Sequence, residues 1–431
     1  MYSRKTVFLA GGLILIFSAL ACTTSASDDT AIAAKAINTL GIDLLARVVK
    51  PNENALLSPY SIQSALAMTY AGTAGETKTE MAKVLHYPTN EDALHRSFSI
   101  FRKELDNIHK NSVNEVKNSA TRGEGPTEPM TLEIANRLYG QSGYAFRPAF
   151  LSLVKDNYGA PFQPVDFIHA AENVRNEINQ WISNQTHERI KDLIPRGGVN
   201  DSTRLALVNA IYFKAAWAEE FFEHSTKAKP FSINGTKIEK VPTMLHKSQR
   251  YGYFRGDGFQ AVTLRYVGGE VQLLIILPDA TNGLADLESK LTSQMFTECA
   301  LAAPAEVILY LPKFKLEPDL ISLGSPLQSL GMKTAFNQPK GSADFDRMAP
   351  RNPNDYLFLS EVFHKTFIAL DEQGTEAAAA TSAVALAAFA VHKEAPRPKP
   401  IEVKVDHPFV FAIQHRASGA CLFLGRVVDP R

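Results

Sequence analysis

The sequence predicts a single α+β domain, on three observations. Helical periodicity fills the chain up to about residue 109. Strand-like runs dominate from Leu132 onward, above all after Phe231. Neither an internal repeat nor a linker divides the two parts.

The elements follow in order. Asp28 or Thr30 could cap a helix whose apolar stripe is Ile32, Ala36, Leu40 and Leu44. Ser58-Pro59-Tyr60-Ser61 opens a second helix, because proline suits a first helical turn. Gly72 to Gly75 breaks it, and Thr77 starts a third that runs through Leu85. Residues 110–129, rich in Asn, Ser, Gly, Glu and Pro, read as a polar surface excursion. Leu132 to Tyr139 reads as a strand, Val174 to Gln185 as an amphipathic helix, and Leu205 to Phe213 as a buried strand. Gln260 to Tyr266 and Glu270 to Leu277 flank Gly268-Gly269, a hairpin signal. Val307 to Leu316 and Leu357 to Leu370 add strands, and Val403 to Val428 closes the chain with two more around Ala417-Ser418-Gly419.

Composition removes several function classes. The 431 residues carry 45 basic and 45 acidic side chains, so the electrostatic footprint of a nucleic-acid binder is missing. With 45% apolar residues the chain is built to bury a core. Three cysteines cannot form a disulfide framework. Cys421 sits in an apolar strand-like run and reads as a buried small hydrophobe, a disulfide with Cys299 being the lesser alternative in an exported protein.

The N-terminus reads as a bacterial-type export signal over residues 1–22. Arg4 and Lys5 precede an apolar stretch from Val7 to Leu20, too short for the roughly 20 residues of a spanning helix. Ala19-Leu20-Ala21-Cys22 admits two processing routes: ordinary cleavage after Ala-x-Ala, or a lipobox that acylates Cys22. Acylation is preferred because Cys22 has no other evident purpose, and residues 23–31 then form a tether. Any membrane contact is expected through this anchor alone. Removing Arg4 and Lys5 leaves 43 basic against 45 acidic residues, still nearly neutral.

No active site is legible. The chain has no Gly-x-Ser-x-Gly elbow, no His-Glu-x-x-His, no Cys-x-x-Cys and no phosphate-binding glycine loop. Gly256-Asp257-Gly258 is an isolated turn, and His187-Glu188 lacks a second histidine at zinc spacing. An enzyme is not expected, nor a cofactor or metal.

One segment resists a bland reading. Glu372-Gln373-Gly374-Thr375-Glu376 runs into Ala377, Ala378, Ala379, Ala380, Thr381, Ser382 and Ala383, then the apolar Val384 to Val391. Alanine favours helix, but small residues run all round this one without an apolar stripe. His392 to Pro400, with prolines at 396, 398 and 400, favours extended chain. A long run of small residues between two strands reads as an exposed loop able to enter a sheet.

This segment resembles the reactive-loop hinge of the serpins, the serine protease inhibitors. Asn54 to Met68 is similar to the family's N-terminal helix block, and Val208 to Trp217 to its central strand motif. Val403 to Ile413 is similar to its C-terminal signature, with Val403 and Val405 where Phe and Ala are usual. The resemblance covers residue 32 to Pro430, apart from residues 110–129. It implies one domain (32–431) of three sheets and eight or nine helices, with a reactive loop at about 372–402. It also implies a monomer that traps serine proteases as acyl-enzymes when the cleaved loop inserts as a strand of the central sheet; serpin insertion is a standard instance of strand addition.

The resemblance carries over residue by residue. Glu372, Gly374, Thr375, Glu376 and Ala377 to Ala380 match the hinge; in an inserted strand Thr375, Ala377, Ala379 and Thr381 share one face. Ser58, Ser61, Asn209 and His364 match the positions that hydrogen-bond where the sheet opens. Trp217 matches the tryptophan near the start of insertion. Glu372 and Lys313 match a hinge ion pair, expected at the surface and worth roughly 0–1 kcal/mol. Counting sixteen residues past Glu372 places the reactive bond at Ala388–Phe389. An alanine there suits elastase-like proteases, while a cut one residue later suits chymotrypsin-like ones. Lys393, Arg397 and Lys399 offer further basic sites, two of them before proline, so a broad inhibitor is also compatible. Lys103, Lys110 and Lys117 are too sparse for glycosaminoglycan activation. A competing reading is a non-inhibitory serpin used for binding or transport, which would normally carry a spoiled hinge; this one is intact.

Overall fold

The computed structural model describes residues 26–122, 128–233, 237–376 and 399–431. Its helices are α1 (Ala26–Val48), α2 (Pro59–Ala71), α3 (Gly75–Val84), α4 (Glu91–Arg122), α5 (Pro148–Tyr158), α6 (Phe167–Gln185), α7 (Leu284–Lys290), α8 (Ser293–Ala300) and α9 (Gly324–Leu330). Its strands are β1 (Ala55–Leu57), β2 (Thr131–Gln141), β3 (Phe162–Val165), β4 (Leu205–Ala216), β5 (Lys227–Ile233), β6 (Lys237–Arg255), β7 (Phe259–Arg265), β8 (Val271–Pro278) and β9 (Pro304–Pro312). They continue with β10 (Phe314–Leu316), β11 (Ile321–Ser322), β12 (Phe363–His364), β13 (Ile368–Leu370), β14 (Gly374–Thr375), β15 (Ile401–Lys404), β16 (Phe409–His415) and β17 (Cys421–Val427).

These strands form a large sheet of order β1-β17-β16-β8-β7-β6-β9-β15, with β5 on β6, a central sheet of order β10-β13-β14-β4-β2-β3, and the small pair β11-β12. The expected α+β class and three sheets are found. The main core lies between the large sheet, the central sheet and the N-terminal helices, where Ile37, Leu40, Leu44, Phe411 and Phe423 are buried. A second, smaller core joins α6 to the other face of the central sheet through Phe167, Ile178, Ile182, Val208 and Ala210. On β4, therefore, even-numbered residues face α6, while Ile211, Phe213 and Ala215 face the main core.

Several local expectations hold for the expected reasons. Ser58 caps α2, its hydroxyl accepting from the Ser61 N–H at 3.2 Å with Pro59 in the first turn. Gly268 and Gly269 both take positive φ, and β7 pairs with β8 around them. Cys299 and Cys421 are free and buried.

Other expectations are corrected. α1 begins at Ala26, so Asp28 and Thr30 lie inside a helix that starts within the segment read as a tether. α6 begins at Phe167 behind an Asp166 cap, earlier than its apolar pattern suggested. The polar excursion at 110–129 is helical as far as Arg122. There Ser112 is buried and the His109 ring lies 2.7 Å from the Met130 carbonyl, so tertiary contacts outweigh the weak helix propensity of Asn and Ser. The run Leu357 to Leu370 is strand only at Phe363–His364 and Ile368–Leu370. Beside its N-terminal part the central sheet has a gap where a ladder partner would be.

Candidate functional site

The central sheet contains its own incomplete strand. After β13 the chain turns tightly, the Asp371 carboxylate accepting from the Gln373 N–H at 3.0 Å and the Gly374 N–H at 3.3 Å. β14 then threads between β13 and β4, with Thr375 opposite both Leu370 and Ala215. Gly374 is required at this point: a Cβ there would lie 2.0 Å from the Ala215 carbonyl oxygen and 2.8 Å from the Ala216 Cα. Its missing side chain permits a close approach of two strands.

Thr375 is fully buried, and its hydroxyl lies 2.6 Å from the Tyr266 hydroxyl. Tyr266 stacks on Trp217 with ring centroids 4.5 Å apart. Trp217 in turn reads the hinge backbone: its indole N–H donates to the Asp371 carbonyl at 2.9 Å and its amide to the Gln373 carbonyl at 2.8 Å. Glu372 is buried rather than superficial. It pairs with Lys313 at 2.6 Å and accepts from the Thr226 hydroxyl at 2.7 Å. Burial opposes its ionisation, but Lys313 and Thr226 outweigh that and hold the carboxyl below its ordinary value. The composition predicts the start of an exposed loop here; through Thr375 the hinge is instead part of the sheet, because β13 and β4 pair with it on both sides.

Among the described residues the ladder of β14 ends at Thr375, and a cavity lies farther along β4. A cavity of about 120 Å³ lies between β4 and the segment ending in β12, lined by Ser61, Leu207, Asn209, Phe363 and His364 among others. A neighbouring cavity of about 390 Å³ shares Leu207 and Phe363. The floor is polar and hydrogen-bonded. The Ser58 N–H donates to His364 Nε2 at 3.0 Å, and the Ser58 hydroxyl to the Leu422 carbonyl at 2.7 Å. Ser61 donates to Asn209, Asn209 donates to Asn136, and Asn136 reaches the Tyr158 carbonyl at 3.1 Å. Complete burial depresses the His364 imidazole to about 3, keeping it neutral and able to accept. The structure thus brings Ser61 and Asn209 into one chain and ties Ser58 to His364.

Three participants were not singled out from sequence. Asn136 sits opposite Asn209 on neighbouring strands, and a lone Asn inside the β2 run was its visible signal. Tyr266 and Thr226 lie more than 100 residues from the hinge, and nothing local marked them. Ala377 to Ala380, Ala388, Phe389 and Cys22 lie outside the described residues. Chemically, the described residues form a sheet with one short strand at Gly374–Thr375 and a cavity farther along β4, and the residues that follow the hinge in sequence are small.

Known proteins resemble this chain in sequence and in fold. The Serpin family model, described as serine protease inhibitor, matches residues 35–430. Leukocyte elastase inhibitor A of Rattus norvegicus is 37% identical over 388 residues, covering 88% of this chain and 94% of the relative. Leukocyte elastase inhibitor of Xenopus laevis is 38% identical, covering 90% and 97%. Among solved structures, a cleaved Serpin 42Da superposes with a TM-score of 0.74 at 28% identity, covering 94% of this chain and all of that one. The native-state thermophilic serpin tengpin gives 0.74 at 26% identity, covering 92% and 94%. Fold and sequence agree: the chain belongs to the serpin family and is a protease inhibitor, not an enzyme.

Proposed function

We propose that this serpin traps elastase-like serine proteases as covalent acyl-enzymes through its loop. The protease serine oxygen attacks the Ala388 carbonyl carbon. The bond to the Phe389 nitrogen breaks, the leaving amine takes a proton from the protease, and Ala388 remains as an ester on the serine. Residues 375–388, fourteen in number, then extend β14 down the slot, roughly 45–48 Å at about 3.3 Å per residue. Ala377, Ala379 and Thr381 follow Thr375 onto the face toward the main core, where small side chains enter without displacing packed neighbours. The observation that carries this reading is β14 itself: the insertion register is set at Thr375, above an open slot. The elastase preference rests on Ala388 and agrees with relatives named as leukocyte elastase inhibitors.

Incubation with pancreatic elastase should give an SDS-stable complex. Mass spectrometry of the released C-terminal peptide should show Phe389 as its first residue. A fragment starting at Ala390 moves the bond to Phe389 and the target class to chymotrypsin-like enzymes, and one starting at Glu394 overturns the count. Stoichiometric turnover of the loop without complex would favour a carrier role. The reading extends to location: the chain is exported from a bacterial-type cell and acylated at Cys22, which rests on the signal-like residues 1–22.

A further inference from the structure

Glu376 is the last described residue of the hinge and the most unusual. Its backbone takes φ +53°, in the left-handed region that side-chain-bearing residues seldom adopt. Its side chain is only 3% exposed, although it carries a carboxylate. Gly374 and Glu376 point toward the α6 face, opposite Thr375, so Glu376 lies beside Tyr212 and near Lys214. Burial raises its carboxyl above the ordinary value. Lys214 is engaged by Glu128 at 2.6 Å. The cation in ion-pair contact is Arg189, whose Nε lies 2.7 Å from Glu376 Oε1.

Arg189 belongs to the segment that leaves α6 and crosses the central sheet. His187, two residues earlier, rests its ring 4.6 Å from that of Tyr212 on β4 and lies 3.3 Å from Glu133 on β2. The Arg189 guanidinium covers the Phe367 ring at 5.1 Å, and the Lys191 carbonyl accepts from Lys365 at 3.2 Å. The segment is thus fastened on both sides of the seam that the loop must enter. His187, Glu188 and Asp192 all take positive φ, so its path is a constrained one.

We propose that Arg189 is a positioning residue for loop insertion: by pairing with Glu376 it holds the hinge seated in the sheet as far as Thr375 before any protease arrives. A buried carboxylate without a counter-charge is strongly disfavoured. Removing Arg189 leaves Glu376 a buried unpaired charge, protonation in place, or withdrawal of β14 from between β13 and β4; mildly alkaline buffer disfavours protonation, so the variants are compared there and withdrawal is the expected outcome. Withdrawal takes Gln373 with it and breaks the contacts that Trp217 makes. This deepens the inhibitory reading, but its readouts need no target protease, so failure to inhibit and failure of the latch are separable.

The chain has two tryptophans, and Trp181→Phe leaves Trp217 as the sole indole reporter at the hinge. In that background Arg189→Met should shift Trp217 emission to longer wavelength. It should also speed glutamyl endopeptidase cleavage after Glu376 by about tenfold or more, the consequence of unpairing a buried charge. Arg189→Lys should restore both values. In a Glu376→Gln background, where no carboxylate needs a partner, Arg189→Met should leave Trp217 emission unchanged; this pair of variants also tests the idea if Arg189→Met alone folds poorly. Unchanged emission and protection in Arg189→Met, or an equal emission shift in the Glu376→Gln background, would overturn the proposal.

Discussion

Replacing Thr375 by arginine tests the insertion mechanism at its first step. Thr375 has no exposed surface, Ala215 and Leu370 flank it in register, and its hydroxyl meets Tyr266, itself fully buried. An arginine placed there loses the Thr–Tyr hydrogen bond, worth about 1 kcal/mol. It also buries a guanidinium against the fully buried Tyr266, an effective penalty of several kcal/mol. The variant hinge therefore rests withdrawn from between β13 and β4 and meets this penalty on insertion; taking about 4 kcal/mol in all, and about 1.4 kcal/mol per factor of ten, insertion slows roughly a thousandfold. If the unaltered loop inserts about 100 times faster than the acyl-enzyme hydrolyses, the variant inserts about ten times slower than hydrolysis. Titration of residual elastase activity should then show ten or more inhibitors consumed per enzyme, with cleaved inhibitor replacing the SDS-stable band. Thr375→Val, which loses only the hydroxyl, should slow insertion by no more than about tenfold. An undiminished complex band with Thr375→Arg would refute insertion through this slot.

Three further outcomes are expected. Burial depresses His364 from near 6.5 to about 3, so the unfolded chain takes up a proton that the folded one refuses. Stability present above pH 6.5 therefore falls as pH drops, by about 2 kcal/mol at pH 5. His95 and His415, lowered to about 4, act in the same direction, so His364→Gln should flatten but not abolish the decline in thermal midpoint between pH 7.5 and 5; an equally steep decline would rule His364 out. Burial pushes the Cys299 thiol up to about 12 and Cys421 higher still, so neither should react with a thiol reagent until the protein is denatured; labelling of the native protein at either would contradict their burial. Cys22→Ser should move the protein from the membrane to the soluble fraction, and an intact mass lacking acyl chains would exclude acylation.

Short-range chemistry was legible in the residues themselves. Pro59 behind Ser58, the Gly268–Gly269 turn and the stripe of Ala36, Leu40 and Leu44 declare their structures because cap, turn and helix stripe depend on neighbours within a few positions. The small residues after Gly374 likewise declare a segment built to enter a sheet, since side-chain size is a property of sequence alone. Tertiary structure decided how far that entry has already gone. Strand order β13-β14-β4 joins segments more than 150 residues apart, and that order alone buries Thr375 under Tyr266, turns Glu372 into a buried partner of Lys313, and sets Arg189 against Glu376. The helix through Arg122 has the same origin: its Asn and Ser residues favour a loop locally, and contacts to Met130 and Glu270 decide otherwise. Pairing across such distances leaves no periodic trace in the chain, because each partner looks like an ordinary surface residue until the sheet brings the two together.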